Sequence, residues 1–242
     1  MKFSVGSMQV LNSFASIQPA ILFRKDSNVI MTTDVAKTMF ASAKIQEAMD
    51  TDVAIYDLPQ FLNTLKLFSD YDFTPYEDYG IISFPENNSS MRYVFAHPSI
   101  INAPEKNIAF PEHEIEFVLP KHILKAINKV SGQGMQNLVI RNAESSDKIS
   151  LTVTNFDSNS TNTSNNEWSV ELQASIQDGL GDFSVILLIP ALAKFLDRDY
   201  NVKISSKKIC SFEAINPETD IERSYEIFYC VAMAIDSIIG ND

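Results

Sequence analysis

Three stretches of this chain place apolar residues at the same offsets of 0, 1, 4 and 7: Val10/Leu11/Phe14/Ile17, Phe61/Leu62/Leu65/Phe68 and Ile123/Leu124/Ile127/Val130. That spacing gathers one apolar stripe on one side of a short helix, and such a stripe must be laid against another element to leave water. A blurred fourth stretch, Leu192/Phe195/Leu196, keeps the helical period without every offset. Prolines mark the entries to three of the four helices: Leu58-Pro59 opens the second, Pro120 stands before the third, and Pro190 before the fourth. A helix's first turn tolerates proline because the missing N–H would have had no partner there. Ser7 is the expected N-cap of a first helix running to Ile17. Strand-like runs are expected at 20–23, 29–33, 38–45, 52–56, 91–96, 114–119, 138–140, 149–154, 168–172, 184–189, 202–204, 209–214 and 225–234. The stretch 71–85 is acidic and aromatic. Four short amphipathic helices among many strands make an α+β chain.

The helices also align the two halves of the sequence. Val10 precedes Ile123 by 113 residues and Phe61 precedes Leu192 by 131, so the second half holds 18 more residues between its helices. The polar run DSNSTNTSNN, 157–166, is the natural place for much of that excess. Between the halves, HPSIINAPEKNIAFP carries prolines at 98, 104 and 111 and no steady period. It has the character of an extended connector. The expected organisation is therefore an N-terminal domain, 1–98, a connector, 99–112, and a C-terminal domain, 113–242. Each domain would lay two helices on one face of a mainly antiparallel sheet. The alternative is chance recurrence, since short amphipathic helices are common.

Acidic residues outnumber basic ones 31 to 19, for a net charge of −12. An overall field of that sign argues against nucleic-acid binding by bulk charge. A local basic patch stays compatible, because near charges set the local potential at physiological salt. No apolar run is long enough to span a bilayer, and the N-terminus lacks the sustained apolar segment of a signal peptide. Cys210 and Cys230 fall in strand-like segments and are expected to be buried free thiols.

Against this acidic background the third helix reverses sign. With Lys121 at zero on a helical wheel, Lys125 and Lys129 fall at about 40 and 80 degrees and His122 near 100, while Ile127 falls near 240. The lysines therefore point away from the packed face. No acidic residue occurs from Phe117 to Ala143, so nothing nearby in sequence neutralises them. A solvated face needs charge of either sign, which explains polarity but not the absence of acids. Lys66 on the second helix, and Lys194 and Arg198 on the fourth, also lie off the apolar stripes, with Asp197 diluting the fourth. The first helix has no charge between Ser4 and Arg24 and offers only Gln9, Asn12, Ser13 and Gln18. Such a surface can touch phosphates without reading bases.

Signatures of catalysis do not accumulate. Ser131-Gly-Gln-Gly134 lacks the spacing and lysine of a phosphate-binding loop and is better placed as the stop of the third helix. His97, His113 and His122 have no metal-ligand spacing. Asp178 and Asp182, with glycines between them, suit a hairpin turn more than a calcium loop. No enzyme, cofactor or metal is expected. A peptide-binding or structural interaction module, with ordinary solvated lysines, is the rival class.

Two segments carry a specific resemblance. DVAIYDLPQFLNTLKLFSD, 52–70, resembles the second-helix region of the sliding clamps of large myovirus-type bacteriophages, and 97–111 resembles their interdomain connector. The first helix, the stretch 21–33 and the Leu-Pro entry to the third helix are also similar. The similarity is strongest in the first half and weakens after about Leu172. This resemblance implies a DNA clamp fold of two similar domains and a homotrimeric ring around double-stranded DNA. It implies a processivity factor for the phage DNA polymerase, placed on DNA by an ATP-driven loader. Contacts with a late-transcription sigma-like factor and its co-activator are implied too, in the cytoplasm of the infected host. Lys66, Lys121, His122, Lys125, Lys129, Lys194 and Arg198 would then face DNA. Ile100, Ile101, Ile108 and Phe110, beside the connector's prolines, would offer partner contacts.

Overall fold

A computed structural model describes residues 1–145, 147–155, 166–216 and 226–240. The chain divides into two compact units, one of Met1–Ile108 with Asn216–Ile227, the other of Ala109–Ile215 with Phe228–Asp242.

The first unit runs α1 (Val5–Ile17), β1 (Ile21–Phe23), β2 (Val29–Thr33), β3 (Met39–Lys44), β4 (Val53–Ile55), α2 (Leu58–Leu65), β5 (Asp72–Pro75), β6 (Tyr79–Phe84) and β7 (Ser89–Val94). The strand pairings described within it are antiparallel, β1 with β4, β2 with β3, and β6 between β5 and β7, with one isolated parallel bridge of Lys25 with Met49. Met1 adds to β5, since the Met1 amine donates to the Phe73 carbonyl and the Phe73 N–H to the Met1 carbonyl, each at 2.8 Å. The N-cap of helix α1 stands three residues before the expected Ser7. Ser4 is its N-cap, accepting from the Ser7 N–H at 3.1 Å, while the Ser7 hydroxyl donates to Glu47. Helix α2 begins at Leu58 as the Leu-Pro pair predicts, but ends at Leu65, with Lys66 as C-cap. Phe68 thus lies beyond the helix, packed on Phe84 at 4.7 Å.

Strands β5 and β6 occupy the acidic, aromatic stretch where the sequence shows no strand pattern. Their alternate residues turn inward: Phe73, Ile82 and Phe84 are buried. Phe61 of α2 meets Phe73 at 5.3 Å and Tyr93 at 5.0 Å, edge to face. This geometry suits the ring quadrupole. Gly80 is required by that cluster, because a Cβ there would sit 2.3 Å from a Phe73 ring carbon.

The second unit runs β8 (Ile115–Leu119), α3 (Lys121–Ser131), β9 (Asn137–Asn142), β10 (Lys148–Thr154), β11 (Glu167–Ile176), β12 (Phe183–Leu188), α4 (Ile189–Leu192), β13 (Tyr200–Ser205), β14 (Ile209–Ala214), β15 (Ile227–Ala232) and β16 (Ile238–Ile239). Its strands follow the order β16-β12-β9-β10-β11-β8-β13-β14-β15. Every pairing in this series is antiparallel. The turn through Gly179 and Gly181, both at positive φ, does not close a hairpin. It joins β11 to β12, which pairs instead with β9 and β16. Helix α4 is shorter than expected. It stops at Leu192, and Phe195 leaves the helix to stack on Tyr229 at 4.2 Å and meet Phe212 at 4.9 Å. Residues 157–165 of the polar run lie outside the described residues.

Element order repeats between units. A helix, four strands, a helix and three strands occur as α1, β1–β4, α2, β5–β7 and again as α3, β9–β12, α4, β13–β15. Pairings match as well: β1 with β4 corresponds to β9 with β12, and the β5-β6-β7 series to β13-β14-β15. The chain is thus α+β, with two similar antiparallel units that each carry two helices.

Cys210 opposes Val231 and Cys230 opposes Ser211. Neighbours along a strand point to opposite faces, so the two thiols lie on opposite sides of the sheet. Burial pushes the Cys230 thiol up to about 11 and the Cys210 thiol upward as well.

Candidate nucleic-acid interface

Helix α3 is built to show charge on one side. Ile123, Leu124 and Ile127 are buried, while Lys121, His122, Lys125 and Lys129 are exposed. These are the positions the wheel assigns to the two faces. The helix ends at Ser131, with Gly132 as its C-cap and Gly134 at positive φ. Lys129 stands in the last turn, where a cation is favoured by the helix dipole.

The start of α3 is held from a distance. Pro120, its N-cap residue, has no side chain able to accept a hydrogen bond from the first turn. Asp199 replaces it: its Oδ1 accepts from the Lys121 N–H at 2.6 Å. A second acid arrives beside it, with Asp197 Oδ2 lying 3.0 Å from Lys125 Nζ. This corrects the expectation that nothing neutralises the lysines. The stretch 117–143 is free of acids in sequence, but the turn after α4 brings two carboxylates to α3.

The remaining cations occupy different settings. Lys66 is exposed at the C-cap of α2, and its Nζ donates to Asn12 Oδ1 of α1 at 3.3 Å. Lys194 and Arg198 are half-buried and lie in the turn after α4, not on a helix as expected. They leave the helix for the reason Phe195 does: the aromatic core pulls the chain out of helical register. On α1, Gln9 and Asn12 are exposed but Ser13 is buried.

The apolar residues by the connector divide in the same way. Ile100 and Ile108 are exposed, Phe110 is half-buried, and Ile101 is only 7% exposed. Ile101 packs with Leu22 and Ala54, flanked by Ala20, Ala96 and Ala103. It closes the first unit's core and offers no free surface. Sequence reasoning missed Val35 and Ile235, which are 83% and 89% exposed. Neither stands in an amphipathic pattern that would single it out. It also missed a groove of about 350 Å³ in the first unit, bordered by Tyr56, Asp57, Met91, Arg92 and Val94. Among the described residues no cluster of His, Cys, Asp or Glu could hold a metal ion. No described helix is long and apolar enough to cross a membrane.

Known proteins are similar to this chain in sequence and in fold. A family described as DNA polymerase processivity factor matches residues 6–72. The sliding clamp of Escherichia phage RB69 is 30% identical over 204 residues, covering 77% of this chain and 87% of that one. The sliding clamp of Enterobacteria phage T4 is 32% identical over 154 residues, which span 63% of this chain and 62% of that clamp. In three dimensions the chain is similar to the Proliferating Cellular Nuclear Antigen of Entamoeba histolytica, with a TM-score of 0.65 over 96% of each chain. At 13% identity that likeness speaks for the fold alone.

Proposed function

We propose a function from one premise: this chain belongs to the sliding-clamp family of DNA polymerase processivity factors. It encircles duplex DNA and tethers the replicative polymerase of a bacteriophage to its template. The observation that carries the DNA contact is the lysine face of α3, set on a chain of net charge −12. Lys121, Lys125 and Lys129, with His122, supply sequence-independent attraction to phosphates; Lys66, Lys194 and Arg198 add to it. The acidic remainder repels DNA elsewhere. The clamp performs no chemical step. Its effect is topological: a closed ring cannot fall off, so a bound polymerase stays at high effective concentration on the template.

The ring is a homotrimer of two-domain subunits, joined through the connector 99–112. Two strand edges support the assembly. Among the described residues strand β7 pairs with β6 alone, and it exposes Met91 and Val94. Along β11, Glu167–Gln173 pairs only with β10 among the described residues. Open edges of this kind are liabilities in a monomer and natural partners in an oligomer. Pairing β7 of one subunit with β11 of the next covers both. Ile100, Ile108 and Phe110 remain the connector's candidates for a polymerase peptide. An ATP-driven loader, late-transcription partners and residence in the cytoplasm of the infected bacterium follow from the family resemblance alone.

Native mass across a concentration series tests this reading. Three chains of 27.1 kDa make 81.3 kDa, with dissociation toward 27.1 kDa on dilution. A monomer at every concentration would sink the ring and leave an interaction module.

A further inference from the structure

We infer that Asp197 is a built-in counter-ion that limits the grip of α3 on DNA, by occupying Lys125 in competition with the phosphate backbone. The inference rests on the reading of α3 as a DNA-facing helix and deepens it.

The geometry sets this carboxylate apart from ordinary surface charge. Asp197 Oδ2 lies 3.0 Å from Lys125 Nζ, and both side chains are 53% exposed. Lys125 is the middle lysine of the three on α3, so its partner stands within the cationic face and not at its margin. The turn that carries Asp197 is anchored on both sides. Before it, Phe195 is buried against Tyr229, and the Leu196 carbonyl accepts from the Tyr200 hydroxyl and the Arg198 N–H, each at 2.8 Å. After it, Asp199 holds the first N–H of α3. Asp197 therefore cannot drift far from Lys125 as a dissolved anion would.

The two acids have separate tasks. Asp199 satisfies a helix-end N–H that Pro120 cannot, which is a folding role. Among the described residues no backbone donor reaches the Asp197 carboxylate, and an exposed ion pair adds little to stability. Its effect falls on binding. A phosphate approaching Lys125 must either displace the carboxylate or meet two negative groups around one ammonium. Either way the attraction at that position is smaller than at Lys121 or Lys129. A clamp must hold DNA without arresting on it, and a tethered counter-ion lowers non-specific affinity while leaving lysines on the surface to steer.

Anisotropy of a fluorescein-labelled short linear duplex, titrated with full-length protein over a salt series, tests the inference. Asp197→Asn should bind severalfold more tightly than wild type at low salt. Its log–log salt slope should be steeper by about 0.9 for each subunit engaged, one extra phosphate neutralised. Asp197→Ser repeats the measurement with a side chain too short to reach Lys125. In a Lys125→Ala background, Asp197→Asn should leave the slope unchanged. Equal tightening in both backgrounds would reduce Asp197 to a general field effect and overturn the inference, as would no tightening at all. The Lys121→Ala/Lys125→Ala/Lys129→Ala variant separates the two levels. If it weakens binding while Asp197→Asn changes nothing, only the counter-ion falls; if it does not weaken binding, the DNA-facing reading falls with it.

Discussion

The two units share an order of elements but differ in what their first helices show to solvent. Helix α1 buries Gly6, Ser7, Val10, Leu11, Ser13, Phe14 and Ile17. Helix α3 buries only Ile123, Leu124 and Ile127. So α1 sinks more of its circumference, including two serines, and keeps a narrower exposed stripe of Val5, Gln9, Asn12 and Ser16. Helix α3 rests on a narrow stripe and leaves its other side to lysine. The exposed stripe of α1 is uncharged, while that of α3 carries lysine. A repeat keeps what packing demands and lets the solvent faces diverge.

The aromatic cores offer the strongest test of this likeness. Phe61 is fully buried in the first unit, and Phe195 is 7% exposed in the second. Truncating either, Phe61→Ala or Phe195→Ala, should cost about 3–5 kcal/mol. Urea unfolding read by hydrogen exchange in each unit checks it. If the units are comparable folding bodies, each substitution lowers protection mainly in its own unit. Uniform loss across the chain from both variants would break the comparison at the level of stability.

A test on DNA follows in size. The triple substitution Lys121→Ala, Lys125→Ala and Lys129→Ala should reduce processive synthesis, with the deficit largest at low salt, where phosphate attraction is strongest. Its salt slope should fall by about 1.8 per subunit, at about 0.9 for each phosphate contact of Lys121 and Lys129, since Asp197 occupies Lys125. Asn12→Ala on α1 should change neither. Primer extension with the cognate polymerase and loader provides the measurement. Equal losses from the α1 and α3 variants would remove the division of labour between the helices.

Caps give the smallest effect. Helix α2 is capped by its neighbour Asp57, whose Oδ1 accepts from the Gln60 N–H at 2.8 Å. Helix α3 is capped by Asp199, 78 residues from Lys121. Asp57→Ala and Asp199→Ala should each cost about 1 kcal/mol. Asp199→Ala should also raise exchange at the first amides of α3, leaving the rest of the helix protected. A loss at α2 alone would show that the distant cap carries no load.

How far the chain was legible depends on how local each cause is. Helices α2 and α3 start within a residue of where proline and apolar period place them, because both signals act within a turn. Helix α4 was overestimated for the same reason: Phe195 keeps a helical offset from Leu192, but the aromatic core draws it away. Strands β5 and β6 were not expected, since a stretch rich in Asp, Glu and Tyr hides the alternation of Phe73, Ile82 and Phe84. Ile101 looked like free apolar material beside prolines, yet it fills a gap over Leu22 and Ala54.

The sequence by itself determined the α+β class, the duplicated pattern of helices and the lysine side of α3. Each rests on which residues must leave water, a choice written in the period of a single element. Only the tertiary structure decided the charge that α3 actually presents. Strand β13 pairs with β8 so that Tyr200 opposes Leu119. That register carries Asp199 to the N–H of Lys121, just past Leu119, and the turn before it sets Asp197 against Lys125. No local pattern encodes such a meeting, because it is fixed by the alignment of two strands far apart in the chain.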